Sequence, residues 1–479
     1  MFFFNQSKAI HISYKKLILI QMKKILFIIC FSWIIITQAQ IQGYNDLGIM
    51  MTTQNKQSTA RMLSMKGAFG ALGGDLSALS LNPAGAAVFT YSAASATLGY
   101  SNQDLIADFY GTSTANNQEN FNLSQFGGVI IFDNDYSESG LNKLAFGINY
   151  NLLNDYKNSW ISEGISHPTW EVNYFSLADN NLYNNVESQK YTNISSGNQS
   201  ELNFSLAADI EDKWFLGLSF NAYDFELIED ATRLELANDG DGNTVDAFES
   251  FWQEVKGEGF SLGAGIILKP THNFRFGISY TSPVWYEMQE DSNMFAENED
   301  DYVGYYDVLY SVDPPSYYNS DDKILSFDYN MRTPSKLTGS MALIFGQSGL
   351  ISADVTRQNY KGLHIGPTAD FTDINENFDS NLQNTFTFNI GTEWRVDFIS
   401  ARAGYSYEQN PYVDAIDSDN LQGYALGLGF NFGEYNFDIA YDHSEQTGYN
   451  DFYPEFSNIY GAELTKTNNK FLATLTYKF

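Results

Sequence analysis

The sequence predicts an all-β fold, a transmembrane antiparallel β-barrel of about 14 strands with an N-terminal hatch inside its lumen. Alternation is the first reason. From Tyr424 to Asn431 large apolar side chains occupy one face (Tyr424, Leu426, Leu428, Phe430), while Ala425, Gly427, Gly429 and Asn431 occupy the other. Large residues outside and small or polar ones inside suit a wall with lipid on one side and a filled lumen on the other. The second reason is that short and long connections alternate along the chain, as in barrels with tight periplasmic turns and long external loops. The third is composition: 16% of residues are aromatic, 37 are Gly and 10 are Pro, which is sheet chemistry with many rings to place.

Met22-Lys23-Lys24, the apolar run Ile25 to Ile36 and then Thr37-Gln38-Ala39 read as a secretory signal peptide over residues 22–39, cleaved after Ala39. Residues 1–21 read as an upstream extension. Cys30, the only cysteine, lies inside the apolar run, so the exported chain would carry no thiol for a disulfide or a metal. Ile29 before it is not the small residue of a lipoprotein signal. Beyond Ala39 no apolar stretch reaches the roughly 20 residues of a membrane helix.

Residues 40–91 are the expected hatch. The part from Ala60 to Gly85 is too rich in Gly and Ala for a stable core helix and too apolar for a solvated linker, so something must enclose it. Gly67, Gly70, Gly73, Gly74 and Gly85 allow tight turns and close backbone approach. Asn82-Pro83-Ala84-Gly85 is expected to end the segment sharply.

The barrel is expected over 92–479, with strands near 92–101, 125–133, 142–156, 200–210, 214–228, 258–268, 274–287, 336–346, 349–360, 383–396, 399–408, 422–432, 435–446 and 469–479. Short turns fall at 134–141, 211–213, 269–273, 347–348, 397–398 and 433–434, and the largest acidic loops at 157–199 and 288–335. A pivot at Gly433-Glu434 sets Phe432 against Tyr435, Phe430 against Phe437 and Leu428 against Ile439. Tyr424, Tyr441, Trp394 and Trp214 sit at strand ends, where interfacial girdles form. Between Phe220 and Tyr223 the apolar phase shifts, which predicts a bulge. The last strand carries Phe471, Ala473, Leu475, Tyr477 and Phe479 on one face. Its terminal aromatic resembles the signal read by the outer-membrane barrel assembly machinery.

Charge and chemistry narrow the function. The 58 acidic residues against 26 basic ones give a net charge of -32, which excludes a nucleic-acid-binding surface. His167, His272, His364 and His443 are scattered and form no Ser-His-Asp arrangement, so neither an enzymatic role nor a cofactor is expected. Asn238 to Asn243, with Asp246 and Glu249, spaces its carboxylates like part of a calcium loop. Thr244 stands where an EF-hand needs Gly and Ser250 where it needs Glu, so a solvated acidic loop is expected there and at Glu297 to Asp301.

A turn at Asp397-Phe398 puts Glu393 opposite Arg402, both inward, with Arg395 beside them. The structural reading is a cross-strand ion pair. The functional one makes Arg395 or Arg402 a counter-charge for a ligand carboxylate or a partner for the hatch, and Arg61 and Lys66 in the hatch are read likewise. Trp160, Trp170, Tyr174, Phe175, Phe295, Tyr302, Tyr305 and Tyr306, in the long loops, suit either an apolar capture groove or loop-on-loop packing.

The export signal, the Gly-rich segment ending in Asn82-Pro83-Ala84-Gly85 and the strand count together resemble the FadL/TodX family of outer-membrane hydrophobic-compound channels. The resemblance covers nearly all of the chain beyond the leader. Met65 to Gly85 is similar to the family's hatch with its Asn-Pro-Ala core. PTHNFRFGISYTSP, residues 270–283, is similar to the family's strand in which a Gly, a Tyr and a Ser-Pro follow in turn. Where many members carry a basic residue before that Ser-Pro, this chain has Thr281.

The resemblance implies a monomer bedded in the outer-membrane lipid of a Gram-negative bacterium, with long loops outside and both termini periplasmic. It implies passive, energy-independent uptake of a hydrophobic small molecule, a long-chain fatty acid or hydrocarbon, released sideways into the bilayer. Two rivals stand beside it: a FadL-like barrel serving as a partner in protein secretion or surface attachment, as in type IX secretion, and a general porin.

Overall fold

A single antiparallel sheet of fourteen strands closes on itself in the computed structural model of the chain, which describes residues 43–53, 58–134, 140–166, 174–175, 182–183, 185–293, 305–310, 316–319, 324–452 and 460–479. The strands are β1 (Ala93–Phe109), β2 (Thr112–Asp133), β3 (Leu141–Asp155, continued by Asn158–Gly164), β4 (Asn185–Ile210), β5 (Trp214–Asn238), β6 (Thr244–Thr271) and β7 (Phe274–Thr281, continued by Trp285–Ser292). They go on with β8 (Leu325–Arg332, continued by Lys336–Ile344), β9 (Gly349–Asn359), β10 (Asn384–Val396), β11 (Ile399–Glu408), β12 (Leu421–Asn431), β13 (Tyr435–Asn450) and β14 (Ala462–Lys478). Closure is made by β1 against β14, from Ala93 opposite Lys478 to Asp108 opposite Glu463. The expected leader and the residues before it lie outside the described residues.

The alternation read from the sequence is the wall's own. Leu98, Phe126, Leu218, Ile278 and Leu426 are exposed on the outer face, while Thr97, Gln125, Asn221, Ser279 and Ala425 are buried on the inner one. Phe430 faces Phe437 and Leu428 faces Ile439 as expected, and Phe432 N–H donates to Tyr435 O across the Gly433-Glu434 turn.

All fourteen expected strands are present, but several run much further than expected. The presumed loop at 157–199 is largely the upper part of β3 and β4. Within 288–335, Trp285–Ser292 pairs with Leu325–Arg332. The reason is physical. A strand needs about 10 residues to cross the bilayer, and β6 has 28. Where a strand leaves lipid its outer face turns polar, so the apolar alternation fades while the backbone ladder continues.

Two further expectations are corrected. No bulge interrupts Phe220 to Tyr223, where β5 keeps unbroken register with β4 and β6. The apolar residues change face because Tyr223, Phe225 and Leu227 point inward into an apolar cluster. Trp160 is not in an exposed loop but is buried beside Tyr191, with ring centroids 5.2 Å apart. Trp170, Phe295 and Tyr302, with the Glu297 to Asp301 run, lie outside the described residues.

Residues 43–53 and 58–91 meet inward-facing positions around much of the barrel. They form helix α1 (Tyr44–Thr52), a short helix α2 (Ala60–Ser64) and two 3-10 turns. Pro83 does not end the segment: it opens the 3-10 turn Pro83–Val88, capped by the Asn82 side chain, because Pro suits a first helical position whose N–H has no partner. Glycines on the wall admit the segment. A Cβ on Gly217 of β5 would lie 2.2 Å from Ala84 N and 2.3 Å from Pro83 C. On Gly277 of β7 it would lie 2.3 Å from Gly70 O.

Gly217→Val is therefore expected to cost about 1–3 kcal/mol through overpacking and to expose the 60–85 stretch to protease, while the barrel keeps its heat-modifiable electrophoretic migration. Protection equal to that of the parent chain would refute the contact.

Candidate functional site in the lumen

The lumen holds two features built by the N-terminal segment and the wall. One is a buried charge network near the short turns, and the other is a cavity beside an interruption of the wall.

The expected cross-strand pair exists. Glu393 lies directly opposite Arg402, and Arg402 Nε donates to Glu393 Oε2 at 2.6 Å. Arg395 Nε donates to Glu393 Oε1 at 2.8 Å. The third donor comes from α2: Arg61 Nε reaches Glu393 Oε2 at 2.9 Å and its Nη1 reaches Gly74 O at 3.1 Å. Arg402 Nη1 also donates to Asp438 Oδ1 at 2.6 Å. A carboxylate can accept from several guanidinium groups at once, so one fully buried Glu ties β10, β11 and the N-terminal segment together.

The other candidate residues of the segment sit around this hub. Gly67, Gly73 and Gly74 have φ of +77°, +59° and +66°, the left-handed region that favours glycine. Gly74 N–H donates to Gly85 O at 3.1 Å. Asn82 Nδ2 donates to Gly70 O at 2.7 Å and its Oδ1 accepts from Ala84 N at 3.1 Å. Lys66 Nζ lies 2.6 Å from Asp442 Oδ1 on β13. Burial raises the Asp75 carboxyl above its ordinary range, offset by the Arg61 charge and by donors from Thr59 and Ser77.

A cavity of about 100 Å³ lies between the segment and the wall. Met51, Met62 and Leu81 line it from the segment; Leu153, Tyr223 and Tyr286 line it from the wall. Met51, Leu153, Tyr223 and Tyr286 belong as well to the apolar cluster that fills the upper lumen with Tyr44, Tyr329, Tyr360 and Phe378. The cavity thus borders a packed apolar cluster.

Beside it the wall is broken. Pairing of β7 with β8 stops at Thr281 opposite Lys336 and resumes at Trp285 opposite Arg332. Pro283 and Pro334 lie in the two interruptions and have no N–H to give. One backbone bond spans the interruption, Thr333 N to Val284 O at 3.1 Å, and hydroxyls supplement it: Val284 N donates to Thr333 Oγ1 at 3.0 Å and, on the β6 side, Leu262 N donates to Ser282 Oγ at 2.9 Å. Thr281, Ser282, Val284, Thr333 and Pro334 all line the cavity.

None of Arg61, Glu393, Arg395 and Arg402 lines that cavity. The cavity residues Lys336, Gln358 and Glu201 escaped the sequence reading. Their signal was available in the inward Lys336, Thr338 and Ser340, which alternate with Leu337, Gly339 and Met341. The described histidines stand apart: His272 in a turn, His364 after β9 and His443 on β13. At the acidic turn, Asp239 Oδ1 accepts from Asp241 N at 2.8 Å and Asn243 N at 3.1 Å. Among the described residues no cluster of three His, Cys, Asp or Glu side chains could hold a metal.

Glu393→Gln leaves three guanidinium groups around a neutral amide, and a cost of about 3 kcal/mol is expected. It reads as a lower urea midpoint for the refolded chain in detergent. Adding Arg61→Gln should recover part of the loss; strictly additive losses would remove the segment from the network.

No protein-family model and no curated protein matches the chain by sequence. Solved structures do. A FadL homologue of Pseudomonas aeruginosa superposes with a TM-score of 0.55 at 16% identity, over 88% of this chain and 98% of the other. The monoaromatic hydrocarbon channel CymD gives 0.51 at 13%, over 89% and 99%. The toluene transporter TbuX of Ralstonia pickettii gives 0.51 at 15%, over 89% and 99%. With its closed fourteen-stranded wall, this chain has the fold of the FadL/TodX family of outer-membrane β-barrels.

Proposed function

We propose that the chain is an outer-membrane channel for passive uptake of hydrophobic small molecules, with residues 40–91 as its hatch, its long loops outside and its termini in the periplasm. The observation that carries this reading is the cavity that shares its lining with the apolar cluster above it and with a paired interruption of the wall beside it. A hydrophobic molecule captured at the mouth moves down the cluster past Tyr329 and Tyr286, reaches the cavity and leaves sideways between β7 and β8. No energy source is required. Each buried CH₂ contributes about 0.8 kcal/mol, so transfer from water to the cluster and on to lipid is downhill.

The resemblance read from the sequence, with long-chain fatty acids and hydrocarbons as cargo, supports this reading, as does the likeness to a hydrocarbon channel and a toluene transporter. The segment's contacts with inward positions of β5, β7, β9 and β10 weigh against a water-filled porin.

The test closes the gap reversibly. Val284→Cys with Thr333→Cys places two thiols across the interruption in a chain whose only cysteine, Cys30, lies in the leader. When the crosslink is oxidised, uptake of labelled toluene and oleate is expected to fall to background in cells or proteoliposomes, and to return on reduction. Undiminished uptake with a verified crosslink would sink the sideways route.

A further inference from the structure

β2 rises further than its ladder with β3. That ladder runs from Asp133 opposite Lys143 to Gln125 opposite Asn151 and ends there, because β3 turns inward out of the wall, while the ladder with β1 continues up to Thr112 opposite Phe109. A crossing of about 10 residues from Asp133 reaches the edge of the lipid near Leu123. Residues 112–120 therefore stand in water, on the side of the long loops.

The upper part of β3, Asn158–Gly164, does not cover the side it has left. It crosses the inner face of the β1–β2 hairpin, held there by half-buried side chains of that face: Asn116 Oδ1 accepts from Ile161 N at 2.9 Å, Asn116 Nδ2 donates to Ile161 O at 3.1 Å, and Asn120 Nδ2 donates to Lys157 O at 3.1 Å. At its tip, a Cβ on Gly164 would lie 2.5 Å from the buried Phe109 ring.

Alternation along the ladder says which groups face the vacated side. The two-residue turn Tyr110-Gly111, with φ of +45° and +85°, makes Phe109 and Thr112 a bonded pair. Even residues from 112 to 122 therefore bond to β1, and Ser113, Ala115, Asn117 and Glu119 turn their N–H and C=O groups away from it. Among the described residues these groups make one bond, from Gln118 Nε2 to Glu119 O at 2.9 Å. An unpaired edge is a template for another strand, and proteins blunt such edges with Lys, Pro or a cover. Residues 112–124 contain neither Lys nor Pro.

Charge says which strand fits. Residues 93–124 carry Asp104, Asp108 and Glu119 and no basic residue, and all three acids are exposed on the outer face of the hairpin. A second copy of this chain, with its net charge of -32, would set like charges against one another across the joint. A basic strand would not.

We propose that the free edge of β2 from Ser113 to Glu119 is a docking site for an extended segment of a partner protein, rich in Lys or Arg, which adds to the sheet as one more strand. Backbone bonds to the four outward-turned residues hold it, and its cationic side chains meet Asp104, Asp108 and Glu119. The edge shares no residue with the lining of the cavity.

The test uses the full chain in lipid nanodiscs and two fluorescent nine-residue peptides of equal charge, one alternating Thr with Lys, the other with Pro in place of three of its Thr residues. By anisotropy the alternating peptide is expected to bind about tenfold tighter, the scale of one or two net backbone bonds. Asn117→Pro removes an N–H from the free edge and leaves the β1 ladder intact, and it should erase the difference. Equal binding of the two peptides by the parent chain overturns the proposal, since charge alone then accounts for it. A difference that survives Asn117→Pro, in a barrel with the parent's heat-modifiable migration, overturns it as well. So does hydrogen exchange in the bare chain that finds the amides of Ser113, Ala115, Asn117 and Glu119 as protected as those of Thr114, Asn116 and Gln118, because the edge is then already covered. A dimer in light scattering that Asn117→Pro breaks would assign the edge to a second copy instead. The channel reading stands under each of these outcomes.

Discussion

Everything in this molecule follows from the pairing of Ala93–Asp108 with Glu463–Lys478. Inside a bilayer no water is available for backbone donors and acceptors, so a sheet survives there only if its first and last strands meet. Once they do, each strand has one face to lipid and one to an enclosed space. The outer face is then settled by transfer energy and fills with Leu, Ile and Phe. The inner face is not, and it carries Asn149, Asn203, Asn221, Glu393 and Asp438, all buried. Those groups need partners, and they find them in one another and in the N-terminal segment.

The interruption between β7 and β8 is the one place described here where the ladder yields on facing strands at the same height. Irregular backbone at membrane depth is tolerated only where it lines a cavity or is covered by protein, and both sides of this break line the cavity. Ser282 and Thr333 supply hydroxyl acceptors for the N–H groups of Leu262 and Val284. Tyr280 and Trp285 flank the break on the outside, 46% and 40% exposed, as rings do where a wall meets the interface. A break so closely patched holds its geometry without an occupant.

What was legible in the sequence was whatever lipid and tight turns dictate. The two-residue turns at Asp397-Phe398 and Gly433-Glu434 fixed register, so the partners Glu393 and Arg402 followed by counting. Strand length was not legible beyond the lipid, because with water outside nothing requires an apolar outer face. The Phe220 to Tyr223 phase change misled for a related reason: the upper lumen is itself apolar, so large residues switch from the lipid side to the lumen side without any change in the ladder. The cavity was hidden most deeply. It depends on Lys336 and Gln358 being neighbours across β8 and β9 and on where α1 ends, and neither is a local property of the chain.

The two lumenal features also constrain each other. Arg61 anchors the segment to Glu393 four residues before the Asp397-Phe398 turn, and Lys66 anchors it again to Asp442. At its other end α1 presents the carbonyls of Met51, Thr52 and Thr53 to Gln199, Lys336 and Asn154. Breaking a buried ion pair on one side costs more than the pair contributes when made, because the remaining charge stays behind unpaired. A segment fastened at both ends in this way is costly to eject. On the proposed reading, passage is therefore easier beside the segment than through the space it occupies, and the space beside it is where the wall is interrupted.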